Sequence, residues 1–144
     1  MCIRDRDKQD IRELLLTSKI RKTQFRIELL EVFTQSKYGL SFKDIKAKIT
    51  STKDKVTIYR ALAVFEEKGL IHKVPNTSDV SKYALCPEVC SEESHVHNHA
   101  HFICNQCEKT FCMDEIELPV LKKVRGYKIK RSNLTLEGDC PDCI

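Results

Sequence analysis

Seven of the eight cysteines and all five histidines of this 144-residue chain lie between His72 and Cys143. Two Cys-x2-Cys pairs, Cys104-Asn105-Gln106-Cys107 and Cys140-Pro141-Asp142-Cys143, are separated by 32 residues. Each pair can set two thiolates on one tetrahedral zinc ion through a tight knuckle, and two knuckles make a closed four-cysteine site of structural type. A redox-active pair is the competing reading. It would need a thioredoxin-like βαβ pattern around the motif, and neither pair has one. The second cluster is His95-Val96-His97-Asn98-His99-Ala100-His101. On an extended strand alternate side chains share a face, about 7 Å apart, so these imidazoles would line one side. Cys86, Cys90, Glu93 and Cys112 flank the tract. Imidazole with thiolate suits zinc, whereas carboxylate-rich sites suit harder ions. A mere low-complexity His tract would bind metal weakly; thiols on both sides argue for a built site. Spacing alone leaves the ligand subset open.

Enzyme chemistry fits poorly. No His is followed two residues later by Glu, as a zinc deaminase needs, and there is no H-E-x-x-H. Four thiolate ligands saturate a zinc ion and leave no position for a reacting water.

The elements that must position these groups divide in two. Residues 1–83 hold 18 Lys+Arg against 11 Asp+Glu, and residues 84–144 hold 7 against 10, so a basic half precedes an acidic one. That asymmetry suggests a polyanion binder joined to a metal binder. In the first half Ile11, Leu14, Leu15 and Leu16 mark a short amphipathic helix. Thr23 can cap a second helix carrying Phe25, Ile27, Leu29, Leu30, Val32 and Phe33. Ser41 can cap a third, with Phe42, Ile45 and Ile49 spaced by 3 and 4. Lys53-Asp54-Lys55 opens a fourth with Ile58, Ala61, Leu62 and Phe65 on one face, and Gly69 ends it. Residues 70–74 and 81–85 read as a hairpin around a Pro75-Asn76 turn. Helices followed by a hairpin suggest a winged helix-turn-helix, with residues 41–50 as the first helix of the turn and 54–68 as the recognition helix. Lys53, Lys55, Thr57, Tyr59 and Arg60 occupy the end that would enter a major groove. Lysine can neutralise phosphates, Arg can read guanine and Tyr can meet a thymine methyl. A small helical domain with a solvated basic surface would show the same charge. In the second half, the gap between the knuckles has room for a hairpin, a helix around Ile116–Val124 and a strand around Tyr127–Leu136. The expected class is therefore α+β: a winged-helix DNA-binding domain over residues 1–86, then a small α/β dimerisation and metal-binding domain over 87–144.

The longest unbroken apolar run is five residues, Ala61 to Phe65, far short of the about 20 a membrane helix needs. The start MCIRDR has no signal-peptide core and reads as a detachable scar over residues 1–6 that includes Cys2. The expected location is the cytoplasm. Disulfides are a poor account of the cysteines in that reducing compartment, and metal binding is a good one.

Several motifs in order resemble the ferric uptake regulator (Fur) superfamily. They are Arg21-Lys22-Thr23-Gln24-Phe25-Arg26, Thr57-Ile58-Tyr59-Arg60-Ala61-Leu62, Glu67-Lys68-Gly69-Leu70-Ile71, His99-Ala100-His101-Phe102-Ile103-Cys104-Asn105-Gln106-Cys107 and Gly138-Asp139-Cys140-Pro141-Asp142-Cys143. The resemblance implies a homodimeric, metal-dependent repressor that binds double-stranded DNA at a palindromic operator. It implies structural Zn²⁺ on Cys104, Cys107, Cys140 and Cys143, and base contacts from Tyr59 and Arg60; Arg21, Lys53, Lys55 and Thr57 complete the candidate DNA contacts. Iron and peroxide sensors of the superfamily usually carry a His two residues before the Ser/Thr that opens the third helix, and here that position is Gly39. The stretches Tyr59–Leu62, His72–Val74 and Tyr83–Cys86 are instead similar to the zinc uptake regulators. Their sensing site falls on His72, Cys86, His97 and Cys112, the last replacing a typical Glu. Cys90, Glu93, His95, His99 and His101 stand as additional or alternative metal ligands. Zn²⁺ is then the expected regulatory ion, with Fe²⁺ or Mn²⁺ as alternatives. A non-DNA zinc buffer is the rival from another class.

Overall fold

Thr23, Ser41 and Asp54 start three of the helices by one device, a side-chain oxygen that accepts a hydrogen bond from an otherwise orphaned main-chain N–H. The computed structural model describes residues 8–52, 54–85, 99–119, 121–130 and 132–144. Helix α1 spans Lys8–Thr17, with Ile11, Leu14 and Leu15 buried and Leu16 facing out. Helix α2 spans Gln24–Gln35, capped by Thr23 through Arg26 N at 3.2 Å. A two-residue strand β1, Leu40–Ser41, leads into α3, Phe42–Lys48. There Ser41 and Asp44 form a reciprocal capping box. Helix α4, Lys55–Glu67, is capped by Asp54 through Thr57 N at 2.9 Å. It ends at Gly69, whose φ of +78° is the left-handed conformation a side chain would disfavour.

The apolar faces of these helices meet in one core. Ile58, Ala61, Leu62 and Phe65 of α4 pack with Leu29, Leu30 and Phe33 of α2, Ile45 and Ile49 beside α3, and Leu14 and Leu15 of α1. Strands β2 (Ile71–Val74) and β3 (Lys82–Leu85) form the expected antiparallel hairpin, and β1 adds to its edge in the order β1-β3-β2. This is a winged helix-turn-helix. The sequence did not announce β1, because two residues are too few to show a period of two.

The second sheet has the order β5-β4-β8. Strand β4, His99–Cys104, lies between antiparallel β5, Thr110–Glu117, and parallel β8, Thr135–Gly138. The helix expected around Ile116–Val124 is not formed. Strand β5 runs on to Glu117, Pro119 follows it, and Lys123–Val124 is a short strand, β6. A proline inside that helix would remove a donor and clash with the preceding turn. The strand expected over Tyr127–Leu136 is likewise split. Its first part, β7 at Tyr127–Lys128, closes a hairpin with β6. Arg125 and Gly126 at its tip both have positive φ, 53° and 88°, as a type I′ turn demands. The rest joins β8. Ala100, Ile103, Cys104, Thr110 and Cys140 are the buried residues here besides two histidines, a thin core compared with that of the helical unit. No helix among the described residues is long and apolar enough to cross a membrane.

Candidate metal centres and the surface beside them

The two knuckles meet at the ends of β4 and β8. Cys104 closes β4, and the main chain turns back with Glu108 N donating to Cys104 O at 3.0 Å and Glu108 at a φ of +59°. Cys143 N donates to Cys140 O at 2.9 Å in the second knuckle. Asn105 N donates to Gly138 O at 2.7 Å and ties the two together. The four sulfurs lie within 4.8 Å of one another, with Cys107 Sγ 3.9 Å from Cys140 Sγ. A tetrahedral zinc with bonds of about 2.3 Å needs sulfurs roughly 3.8 Å apart, so the cluster fits the ion. The main-chain N–H of Cys107 at its sulfur, helped by those of Cys140 and Gln106, outweighs burial and holds the Cys104 thiol at about 6. Cys143, sharing hydrogen bonds with Cys140 and partly desolvated, is pushed up to about 12. The Cys104 thiolate forms readily, whereas burial and the neighbouring cysteines favour the protonated thiols of Cys140 and Cys143.

The second cluster is His72, His99, His101 and Cys112, whose ligand atoms also lie within 4.8 Å of one another. His72 comes from β2 of the winged unit. His99 and His101, two apart on β4, share a face, and Cys112 on β5 is the register partner of His101. His72 Nε2 is 3.2 Å from His101 Nε2 and 3.7 Å from Cys112 Sγ. The rings of His99 and His101 converge to 4.7 Å between centroids. A zinc with bonds of about 2.0–2.3 Å needs ligands roughly 3.3–3.8 Å apart, and these separations suit it. All three imidazoles are buried. The register of β4 and β5 is irregular between His99 and Ala100, where the partner moves from Glu117 to Met113. That irregularity brings in Asp114, whose Oδ1 lies 3.8 Å from His99 Nε2. At that distance the carboxylate makes no hydrogen bond to the ring, but its negative charge favours a cation at the cluster. Of the expected sensing residues, His72 and Cys112 meet in this cluster, joined by His99 and His101. Cys86, His97, Cys90, Glu93 and His95 lie outside the described residues.

On the other side of the winged unit, Lys55, Thr57, Tyr59 and Arg60 project from the exposed first half of α4, and Lys53 lies outside the described residues. Tyr59 is held flat on Phe42 of α3, with centroids 4.7 Å apart and an interplanar angle of 6°, while Lys55 Nζ sits 5.9 Å from its ring. Arg21 is exposed beside the start of α2.

The ferric uptake regulator family matches residues 17–137. The chain belongs to this family. Its relatives include the zinc uptake regulation protein of Escherichia coli strain K12, 26% identical over 132 residues that cover 87% of this chain and 74% of that protein. The ferric uptake regulation protein of Synechococcus elongatus is 31% identical over 133 residues, 85% of each chain. A zinc uptake regulator solved with zinc and DNA has the same fold, with a TM-score of 0.64 at 22% identity over 94% of this chain and 91% of that one. Members are metal-responsive transcriptional regulators, not enzymes.

Three further residues stand out in the structure. A Cβ on Gly39 would meet Val74 Cγ2 at 2.7 Å, and Gly39 N donates to Thr110 O at 2.8 Å. The wing's Val74 crowds this position, and a side chain there would have to displace it. Asp114 escaped the sequence reading, although its place two residues after Cys112 puts both on one face of a strand. Glu28 on α2 escaped it too. Its carboxylate accepts from Thr50 N, from Thr50 Oγ1 at 2.7 Å and from Ser51 N at 3.0 Å, across the turn between α3 and α4. Burial pushes this carboxyl up, but the hydrogen bonds from Ser51 and Thr50 overcome it and hold it at about 2 against an ordinary 4.5. A depressed carboxylate stabilises the fold above about pH 4.5, and that contribution fades as pH falls toward 2. Glu28→Gln should therefore cost about 1 kcal/mol at pH 7, the scale of a charged hydrogen bond reduced by solvent. The gap to wild type should narrow at pH 3. Urea midpoints at both pH values check this, and a gap independent of pH refutes it.

Proposed function

We propose that this chain is a zinc-responsive repressor of metal-uptake genes, acting in the cytoplasm as a homodimer on a palindromic operator. Residues 1–86 read DNA, and residues 87–144 dimerise and bind metal. One observation carries the reading: His72 belongs to the winged sheet, whereas His99, His101 and Cys112 belong to the second sheet. A metal held by all four would clamp the reading unit to the dimerisation unit. Without it the two reading heads of a dimer would sample many separations. With it they would be held near one helical turn apart, roughly 34–36 Å, to match two half-sites. Zinc then has higher affinity for the DNA-competent state, and DNA tightens zinc binding reciprocally. Imidazole and thiolate favour zinc over Fe²⁺ or Mn²⁺, and Gly39 supplies no ligand. Exposed Val124, Tyr127 and Leu134 supply apolar surface on the unit assigned to dimerisation.

Mobility-shift assays on duplexes from the promoters of metal-uptake genes test this. Zn²⁺ should produce a salt-sensitive shift at lower free concentration than Fe²⁺ or Mn²⁺ titrated anaerobically. Arg60→Ala and Tyr59→Ala should each weaken it by about 1–3 kcal/mol, the range of a specific base contact. A zinc buffer that binds no DNA would give no shift, and neither substitution would matter.

A further inference from the structure

Six of the seven Lys+Arg in the acidic half, residues 84–144, fall within residues 122–131, and no Asp or Glu lies between Glu117 and Glu137. The rest of that half holds Lys109 alone against ten Asp+Glu, so the stretch is an island of opposite sign. The β6–β7 hairpin occupies residues 122–129 of it, as a two-stranded sheet of its own. Lys122, Lys123, Arg125, Lys128 and Lys130 are all exposed. We infer that this hairpin is a second DNA contact, made to the phosphate backbone of the duplex and separate from α4. The inference rests on the DNA-binding reading and gives the dimerisation unit a share in it. Strand register carries the argument. Lys123 pairs with Lys128 and Val124 with Tyr127, and Ile129 N donates to Lys122 O at 3.1 Å. Hydrogen-bonded and non-hydrogen-bonded pairs alternate along an antiparallel ladder, so Lys123 and Lys128 form the closer, non-hydrogen-bonded kind, with Cα atoms about 4.5 Å apart. Like charges directly opposite cost stability, and the hairpin itself supplies no carboxylate to offset this. A polyanion laid across the pair turns that repulsion into attraction. Successive residues of a strand face opposite ways. The lysine pair therefore lies on one face, and Val124 and Tyr127 lie on the other, where a second copy can cover them without covering the lysines. Arg125 sits at the tip. Duplex DNA suits this ribbon: it carries one charge per about 1.7 Å, and its major groove admits two paired strands. An operator held by the reading heads also brings its flanking duplex to the same dimer at high local concentration.

Phosphate contacts are blind to sequence and sensitive to salt. The zinc-loaded full chain is titrated, over a salt series, with a long random-sequence duplex and with the tightest site it selects from a random pool, set in flanks of the same length. Lys123→Gln combined with Lys128→Gln should weaken both by a similar factor, about tenfold at about 0.1 M salt. The slope of log affinity against log salt should fall by about 0.9 for each lysine removed. Lys123→Glu separates binding from folding. It sets opposite charges across the ribbon, so the hairpin should hold at least as well as in wild type, yet affinity for both duplexes should drop. Thermal midpoints and sedimentation accompany each titration. An unchanged slope in the glutamine pair overturns the inference alone. So does a loss confined to the selected site, which would tie the effect to base reading by α4. So does dissociation of the dimer, which would make the acidic surface of a second copy the partner of the ribbon. If the glutamine pair fails to fold, Lys123→Glu decides, and wild-type affinity for both duplexes overturns the inference. Failure of the wild-type chain to bind either duplex overturns both this inference and the regulator reading.

Discussion

Cys140→Ser is expected to strip the four-cysteine site of its metal and unfold the second sheet while the helical unit remains folded. Cys140 is buried, its N donates to Cys104 Sγ at 3.3 Å, and its thiol faces Cys107 at 3.9 Å. The apolar residues around it are few: Ala100 and Ile103 with the buried thiols. Each well-buried aliphatic side chain stabilises by only about 1.5–3 kcal/mol, too little here to offset the backbone entropy of three strands. Structural zinc supplies about 10–16 kcal/mol in small metal-stapled units at neutral pH, comparable to the whole stability of a typical domain. Losing one thiolate should therefore release about one zinc per chain and remove protection from amide exchange over β4, β5 and β8. The helices should keep theirs, because their core is built from side chains in residues 11–85. Metal analysis with exchange mapped by residue checks this. A variant that keeps its zinc, or loses protection evenly along the chain, would sink the idea that metal and not packing holds the second sheet.

His101→Ala should leave that structural zinc in place and abolish the response of DNA binding to added zinc. His101 stands at the centre of the proposed sensing site, 3.2 Å from His72 across the junction and opposite Cys112 in the sheet. Its removal leaves three of the four ligands gathered among the described residues. Allosteric couplings are typically about 1–3 kcal/mol, or roughly 5–150-fold in affinity, and the variant should lose that factor and bind as the zinc-free wild type does. Because coupling is reciprocal, DNA should tighten zinc binding by the same factor in wild type and not in the variant. Titrations with and without duplex read both halves. If His101→Ala and His99→Ala respond like wild type while Cys86→Ser and His97→Ala do not, the sensing set is the one expected from family resemblance and not the one gathered around β4. Asp114→Asn offers a graded comparison, since removing a negative charge 3.8 Å from His99 should weaken metal binding less than removing His101 itself.

Local chemistry was legible wherever one residue type does one job at a fixed offset. Thr23 and Ser41 were readable as caps because a hydroxyl three residues before a free N–H satisfies it. Gly69 was readable as a helix stop, and the Cys-x2-Cys pairs as knuckles, for equally local reasons. The period of Ile58, Ala61, Leu62 and Phe65 exposed the buried face of α4. The segment Ile116–Val124 misled: it has the length for a helix, but Ile116–Glu117 extend β5, Pro119 disfavours a helical turn, and Lys123–Val124 pairs with β7.

The sequence by itself determined the family, the two-part organisation and the four-cysteine site, since each rests on residues close together or on motifs whose order is their information. Tertiary structure alone decided which histidines meet. His72 and His101 are 29 residues apart, and nothing in their spacing says that β2 and β4 come together. The register of β4 on β5 puts Cys112 opposite His101, and hydrogen bonds from Gly39 N to Thr110 O and from Thr110 Oγ1 to Pro75 O tie the wing to β5. Ligand choice at a junction is a property of how two sheets pack, and packing is set by contacts that the linear order does not contain.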